Sequence, residues 1–109
     1  MVQTTVRRIA EDSVRKLPRV KQGYVLMYSC MFPIESPEFK RPQDVMAWYA
    51  GLEQKQKLEF KKAGGFIISQ LSVACNDCVV GGESFRRGDV IEEVDSFKFD
   101  FKLAKWIKC

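Results

Sequence analysis

Cys75 and Cys78 are the only pair in this chain with the spacing of a metal or redox site. Two thiolates at that spacing can supply half of a tetrahedral zinc site or the dithiol of an oxidoreductase. A closed zinc site needs four ligands. The other thiols are Cys30, inside an apolar run, and Cys109, the last residue, and there is no histidine among the 109 residues. Cys75 and Cys78 are kept as the metal candidates of a small cysteine-ligated zinc module, ranked below unliganded buried thiols. A redox dithiol opens a helix, whereas Asn76-Asp77 between apolar flanks favours a turn.

The missing histidine reaches further than zinc. It removes Ser-His-Asp and Cys-His catalysis and the common proton shuttle of neutral pH. Neither G-x-x-x-x-G-K-[ST] nor G-x-G-x-x-G occurs, so the familiar phosphate loops are absent as well. Carboxylates crowd the C-terminal part as Asp89, Glu92, Glu93, Asp95 and Asp100. Neighbours on a strand point to opposite faces, so Glu92 and Glu93 cannot share one site, and an exposed acidic edge is expected. The sequence predicts no enzyme and no cofactor.

Charge is the feature with functional reach. Residues 1–21 carry Arg7, Arg8, Arg15, Lys16, Arg19 and Lys21 against Glu11 and Asp12, a surplus of four that equals the net charge of the whole chain. The rest is neutral, with twelve basic and twelve acidic residues. A basic element on a neutral body is a place for an acidic partner, either a protein surface or nucleic acid. These six cations are the candidate binding residues. Phosphate contacts would gain from counterion release. Against that, no aromatic lies among the six to stack a base, and Glu11 and Asp12 oppose a phosphate backbone. A protein partner or self-assembly ranks first.

The elements that position these residues follow from periodicity. Val6, Ile9, Ala10, Val14 and Leu17 recur at steps of three and four, which predicts a helix over Thr5–Leu17 stopped by Pro18. Tyr24–Phe32 is apolar on both alternating faces and predicts a strand covered on both sides. Pro42 near a first helical position opens one long central helix that runs to about Ala63, with Val45, Trp48, Tyr49, Leu52 and Phe60 inward, ended by Gly64-Gly65. Those aromatics fit a core rather than a ligand box. Phe66–Cys75 predicts a second strand, and strand, helix, strand in that order suggests a right-handed parallel crossover.

Hairpins should follow, with turns at Asn76-Asp77, Gly81-Gly82, Arg86–Asp89 and Asp95-Ser96. Phe97–Leu103 alternates apolar and charged residues and reads as a half-buried strand. The fold class is therefore α+β: a single domain over residues 1–109, an N-terminal helix, one long central helix and a mainly antiparallel sheet with C-terminal hairpins. The longest apolar run, Tyr24–Phe32, is nine residues, where a membrane helix needs about 20. Ile9-Ala10 followed by Glu11-Asp12 builds no signal-peptide core, so the cysteines are expected reduced and no membrane contact is expected.

Residues 79–94, VVGGESFRRGDVIEEV, resemble a small β-module of short bacteriophage proteins. The matching residues are Gly81-Gly82, Phe85, Gly88-Asp89 and Val90-Ile91-Glu92, and the ending Lys105–Lys108 is similar to chain ends in that group. FKFDFKL stands where the module often has a short helix. The resemblance covers the last quarter of the chain. It implies a viral structural or accessory protein that works by protein–protein contacts in an assembly, located in a host cytoplasm or a virion.

Overall fold

The apolar run Tyr24–Phe32 forms strand β1 of a computed structural model that describes residues 7–21 and 23–109. Before it lies a short helix, α1 (Glu11–Arg15). After it come β2 (Glu38–Phe39), α2 (Asp44–Ala50), α3 (Gln54–Ala63) and β3 (Gly65–Ala74). The chain continues through β4 (Cys78–Val80), β5 (Glu83–Phe85), β6 (Val90–Asp100) and β7 (Lys105–Lys108). Five strands form one antiparallel sheet in the order β2-β1-β3-β6-β7, and β4 and β5 form a separate ribbon. The class is α+β, as the pattern predicts.

Strand alternation sorts the core into two clusters on opposite faces of the sheet. Val25 and Met27 pair with Val73 and Leu71, and these four pack with Ile9, Val14, Leu17 and Val90 under α1. Tyr28 and Cys30 pair with Gln70 and Ile68, and here Cys30, Phe66 and Ile68 pack with Val45 and Phe60 of α2 and α3. The second cluster is the aromatic one. Phe60 and Phe66 are fully buried with ring centroids 5.0 Å apart, and Tyr49 meets each edge-on at 5.3 and 5.1 Å. Burial of one such ring contributes about 1.5–3 kcal/mol, and edge-on ring pairs add about 0.5–1.5 kcal/mol each.

The single long helix is replaced by two short ones. α2 stops at Gly51, and Glu53, in extended conformation, starts α3 with its N–H donated to Gln56 Oε1 at 3.3 Å. Trp48 and Phe60 would lie roughly 18 Å apart along one continuous helix. Their rings are 5.8 Å apart because the chain folds back at residues 51–53. That fold-back returns the chain antiparallel, so the expected parallel crossover between β1 and β3 is an antiparallel pairing instead.

Four further expectations change. The helix predicted over Thr5–Leu17 is confined to Glu11–Arg15, and its predicted start lies outside the described residues. Arg7–Ile9 is extended, because Ile9 N–H donates to Gly88 C=O at 3.1 Å and Val90 N–H to Arg7 C=O at 2.8 Å. Asp95-Ser96 is not a turn, since β6 runs straight through it, with register shifts opposite Gln70/Leu71 and Ser72/Val73. The strand expected to reach Leu103 ends at Asp100, whose carboxylate accepts the N–H groups of Lys102 and Leu103 at 2.9 and 3.0 Å and turns the chain into β7. At the turn after Cys75 the chain does not pair β3 with β4; β4 pairs with β5 across Gly81-Gly82, both at positive φ as a two-residue hairpin turn requires.

Candidate functional site: a basic rim beside an open strand edge

The turn Arg86–Asp89 anchors the N-terminal segment. Asp89 N–H closes it on Arg86 C=O at 2.9 Å, and the buried Asp89 carboxylate accepts Arg86 N–H at 2.8 Å. Gly88 holds φ +95°, and a Cβ there would sit 2.6 Å from a Val14 methyl. Only glycine lets α1 approach this closely. Arg8 pairs with Asp89 at 3.2 Å and donates to Arg87 C=O at 2.8 Å, and Arg7 pairs with Glu93 at 3.0 Å.

Arg87 is the residue the sequence reading missed. Its guanidinium donates to the carbonyls of Val14 and Leu17 at 3.0 Å and of Pro18 and Cys75 at 3.2 Å. It thereby ties the Val14 carbonyl of α1 and the Leu17 and Pro18 carbonyls that follow the helix to the end of β3, a favourable place for a cation. The signal available was the arginine pair before Gly88-Asp89. Three of its four acceptors lie about seventy residues away, beyond any local pattern.

The six basic candidates therefore divide. Arg7 and Arg8 hold the fold together through Glu93 and Asp89. Arg15, Lys16, Arg19 and Lys21 are exposed and make no ion pair among the described residues. They lie on α1 and on the segment that leads to β1. Beside Lys16 is a groove of about 850 Å³ with a mostly apolar wall. Leu17 and Lys16 form one side, Val25, Leu26 and Met27 of β1 the floor, and Pro37, Glu38 and Lys40 the far side. Asp12 also faces it, and Glu38 accepts a hydrogen bond from Ser13 Oγ at 3.0 Å. Lys40 is a second residue that the sequence pattern did not single out.

The cysteines do not converge. Cys30 lies in the aromatic cluster, and Cys75, at the end of β3, is buried, while Cys78 is half-buried and Cys109 exposed. Burial pushes the Cys30 and Cys75 thiols up, against the hydrogen bonds that Cys30 makes with backbone and against the Arg87 charge beside Cys75. That is the reverse of what a thiolate ligand needs. Among the described residues no three of the Cys, Asp and Glu side chains come together as a metal site. Four of the five C-terminal carboxylates are taken up singly, Glu93 by Arg7, Asp89 by Arg8, Asp95 by Lys108 at 3.4 Å and Asp100 by its own turn, and Glu92 is exposed. No helix among the described residues is long and apolar enough to cross a membrane. Comparison with family models, with curated proteins and with solved structures finds no match to this chain.

Proposed function

We propose that this chain is a non-enzymatic binding protein that docks an acidic protein partner on the rim formed by Arg15, Lys16, Arg19 and Lys21, as a viral structural or accessory protein of phage type would within an assembly. One observation carries the reading: these four cations are exposed and without an ion-pair partner among the described residues, while Arg7 and Arg8 on the same segment are paired with carboxylates. Leaving four positive groups unneutralised on a small neutral body creates a local field that an acidic surface satisfies. The viral setting comes from the resemblance of residues 79–94, and the choice of protein over nucleic acid from the surroundings of the cations. Asp12 lies beside Lys16 in the groove wall, and that wall carries no aromatic ring on which a base would stack; the exposed Tyr24 lies outside it.

The test is fluorescence anisotropy with three probes: a labelled acidic peptide, a 20-base-pair duplex and a 20-nucleotide single strand. Wild-type protein is compared with Arg15→Glu plus Lys16→Glu plus Arg19→Glu plus Lys21→Glu. The acidic peptide should bind with marked salt dependence and lose at least about tenfold in affinity on charge reversal. Duplex binding that is tight at physiological salt, with a log–log slope falling by about one per cation removed, would replace the protein partner by nucleic acid.

A further inference from the structure

We infer that the acidic partner is taken up as an extended strand added to the open edge of β1 at Tyr24–Met27, in the groove between that edge and α1; this rests on the acidic-partner reading above. β1 is the second strand of the sheet only at Tyr28 and Ser29, where β2 pairs with Phe39 and Glu38. Over Tyr24–Met27 its pairing is with β3 alone among the described residues.

Backbone alternation says which groups the edge offers. Gly23 C=O accepts Cys75 N–H at 3.0 Å, on the β3 side. Cys30 N–H donates to Ser36 Oγ at 2.7 Å and Cys30 C=O accepts Ser36 N–H at 3.2 Å, on the side away from β3. In an antiparallel strand successive residues alternate in the direction of their N–H and C=O groups. The even-numbered residues of β1 therefore face outward. Tyr28 is met by β2, which leaves the N–H and C=O of Leu26, in the groove wall, and of Tyr24, just beyond the groove, on the outward edge, two donors and two acceptors at a spacing of about 7 Å. An extended chain in line with β2 presents its own groups at the same spacing.

The two edges of the sheet are not equivalent. The other edge, β7, is Lys-Trp-Ile-Lys, with lysines of the kind that keep an edge from pairing. Tyr24-Val25-Leu26-Met27 carries no charge, and Tyr24 and Leu26 expose 62% and 43% of their surface. The groove takes in three consecutive residues of β1, so it follows the strand edge rather than one face. Charge sets the chemistry of the occupant. Lys16 and Lys40 flank the groove, and the exposed Arg15, Arg19 and Lys21 are close to Lys16 in the chain. Asp12 and Glu38 on the same walls disfavour an unbroken acidic run. The fitting ligand alternates apolar and acidic residues, with its carboxylates on the α1 face toward Lys16 and Lys40 and its apolar side chains on the other face beside Tyr24 and Leu26.

The experiment uses the full chain, ¹⁵N-labelled, and the peptide acetyl-Glu-Val-Glu-Ile-Asp-Val-Thr-amide. Its controls are the same peptide N-methylated at alternate residues in each of the two phases, and a version with Lys for every acidic residue. The parent peptide should shift the Tyr24 and Leu26 amides and slow their hydrogen exchange. One N-methylated phase should bind at least about tenfold more weakly than the other, since only one phase faces β1. Leu26→Pro removes an outward N–H at an edge position that tolerates proline, and should weaken binding by a similar factor. If both N-methylated phases bind as the parent does, strand addition is wrong while the acidic partner stands. If the lysine peptide binds as well as the parent, the acidic partner is wrong. If the parent peptide fails to bind while the labelled acidic probe of the preceding section binds, the rim is used without the edge and the inference falls. A chain that light scattering shows to be a dimer broken by Leu26→Pro would place a second copy on the edge and overturn the peptide.

Discussion

Replacing Arg87 by alanine should cost about 3 kcal/mol. The side chain makes four charge-assisted hydrogen bonds at 3.0–3.2 Å. The Pro18 carbonyl is exposed and will be rehydrated when the guanidinium leaves. The carbonyls of Val14, Leu17 and Cys75 are partly buried, and Val14 C=O keeps a second donor, Leu17 N–H at 3.2 Å. Hydrogen bonds to charged groups contribute about 1.5–3 kcal/mol each when buried; at this half-exposed site about 1 kcal/mol for each of the three is the working figure. A loss of about 3 kcal/mol is more than a hundredfold in the folding constant and a large share of the 5–15 kcal/mol a domain has. Urea unfolding followed by tryptophan fluorescence reads the global value. Trp48 and Trp106 both belong to the aromatic cluster, on the face opposite α1. Hydrogen exchange at the Ile9 and Val90 amides reads the α1 side separately, and there protection should fall first. Arg87→Lys should recover less than half, because an ammonium cannot span four acceptors as a planar fork does. A variant Arg87→Ala within about 0.5 kcal/mol of wild type, or full recovery by lysine, would refute the reasoning.

Gly65→Ala should be worse than any surface change: φ is +153° and a Cβ would lie 1.9 Å from Phe99 C=O, so β3 and β6 must separate, and chemical denaturation should show a loss of about 3 kcal/mol or more. Gly82→Ala, at φ +83° in open space, should lose only about 1–2 kcal/mol. The thiols should react with a disulfide reagent in two classes, Cys109 and Cys78 in the folded protein, Cys30 and Cys75 only on unfolding, and a fast Cys75 in folded protein would contradict its burial. Asp100 is held below the usual carboxylate range by the Leu103 N–H first, then by the Lys102 N–H and the charges of Lys98 and Lys102, against its desolvation. A depressed folded value gives stability that is present above about pH 4 and lost as pH falls through that value, so Asp100→Asn should flatten the acid limb of a stability–pH profile and leave wild type and variant alike at its acid end.

Much of the fold follows from local pattern, and the exceptions share a cause. β1 spans the residues its apolar run marks, Gly64 at φ +80° ends α3, and the turns at Gly81-Gly82 and Arg86–Asp89 stand where their residues place them. The break at Gly51–Glu53 was hidden because the inward residues Trp48, Tyr49, Leu52 and Phe60 keep helical spacing across it. What separates two helices from one is the aromatic contact they make by folding back. Asp95-Ser96 looked like a turn by composition, yet pairing with Gln70 and Ser69 of β3 holds both in strand. The basic candidates were legible as a group and not as individuals. Arg7 differs from Lys16 only through Glu93, eighty-six residues later in the chain.

The run Tyr24–Phe32 shows most clearly how pattern and structure combine. Its lack of polar alternation predicts cover on both faces and says nothing about its edges. In the structure α1 covers Val25 and Met27 on one face, and the helices α2 and α3 cover Cys30 on the other, but their reach ends before Leu26 and Tyr24. Among the described residues, the half of β1 that β2 does not pair is also the half with exposed apolar side chains. Exposed apolar side chains and outward-facing N–H and C=O groups thus coincide on the same residues, next to the cations that lack carboxylates among the described residues. Any one of these features alone is ordinary on a protein surface. A strand with alternating apolar and acidic residues satisfies all three at once, which is why one N-methyl group in the right phase of a peptide is a sharper test of this edge than any change of charge around it.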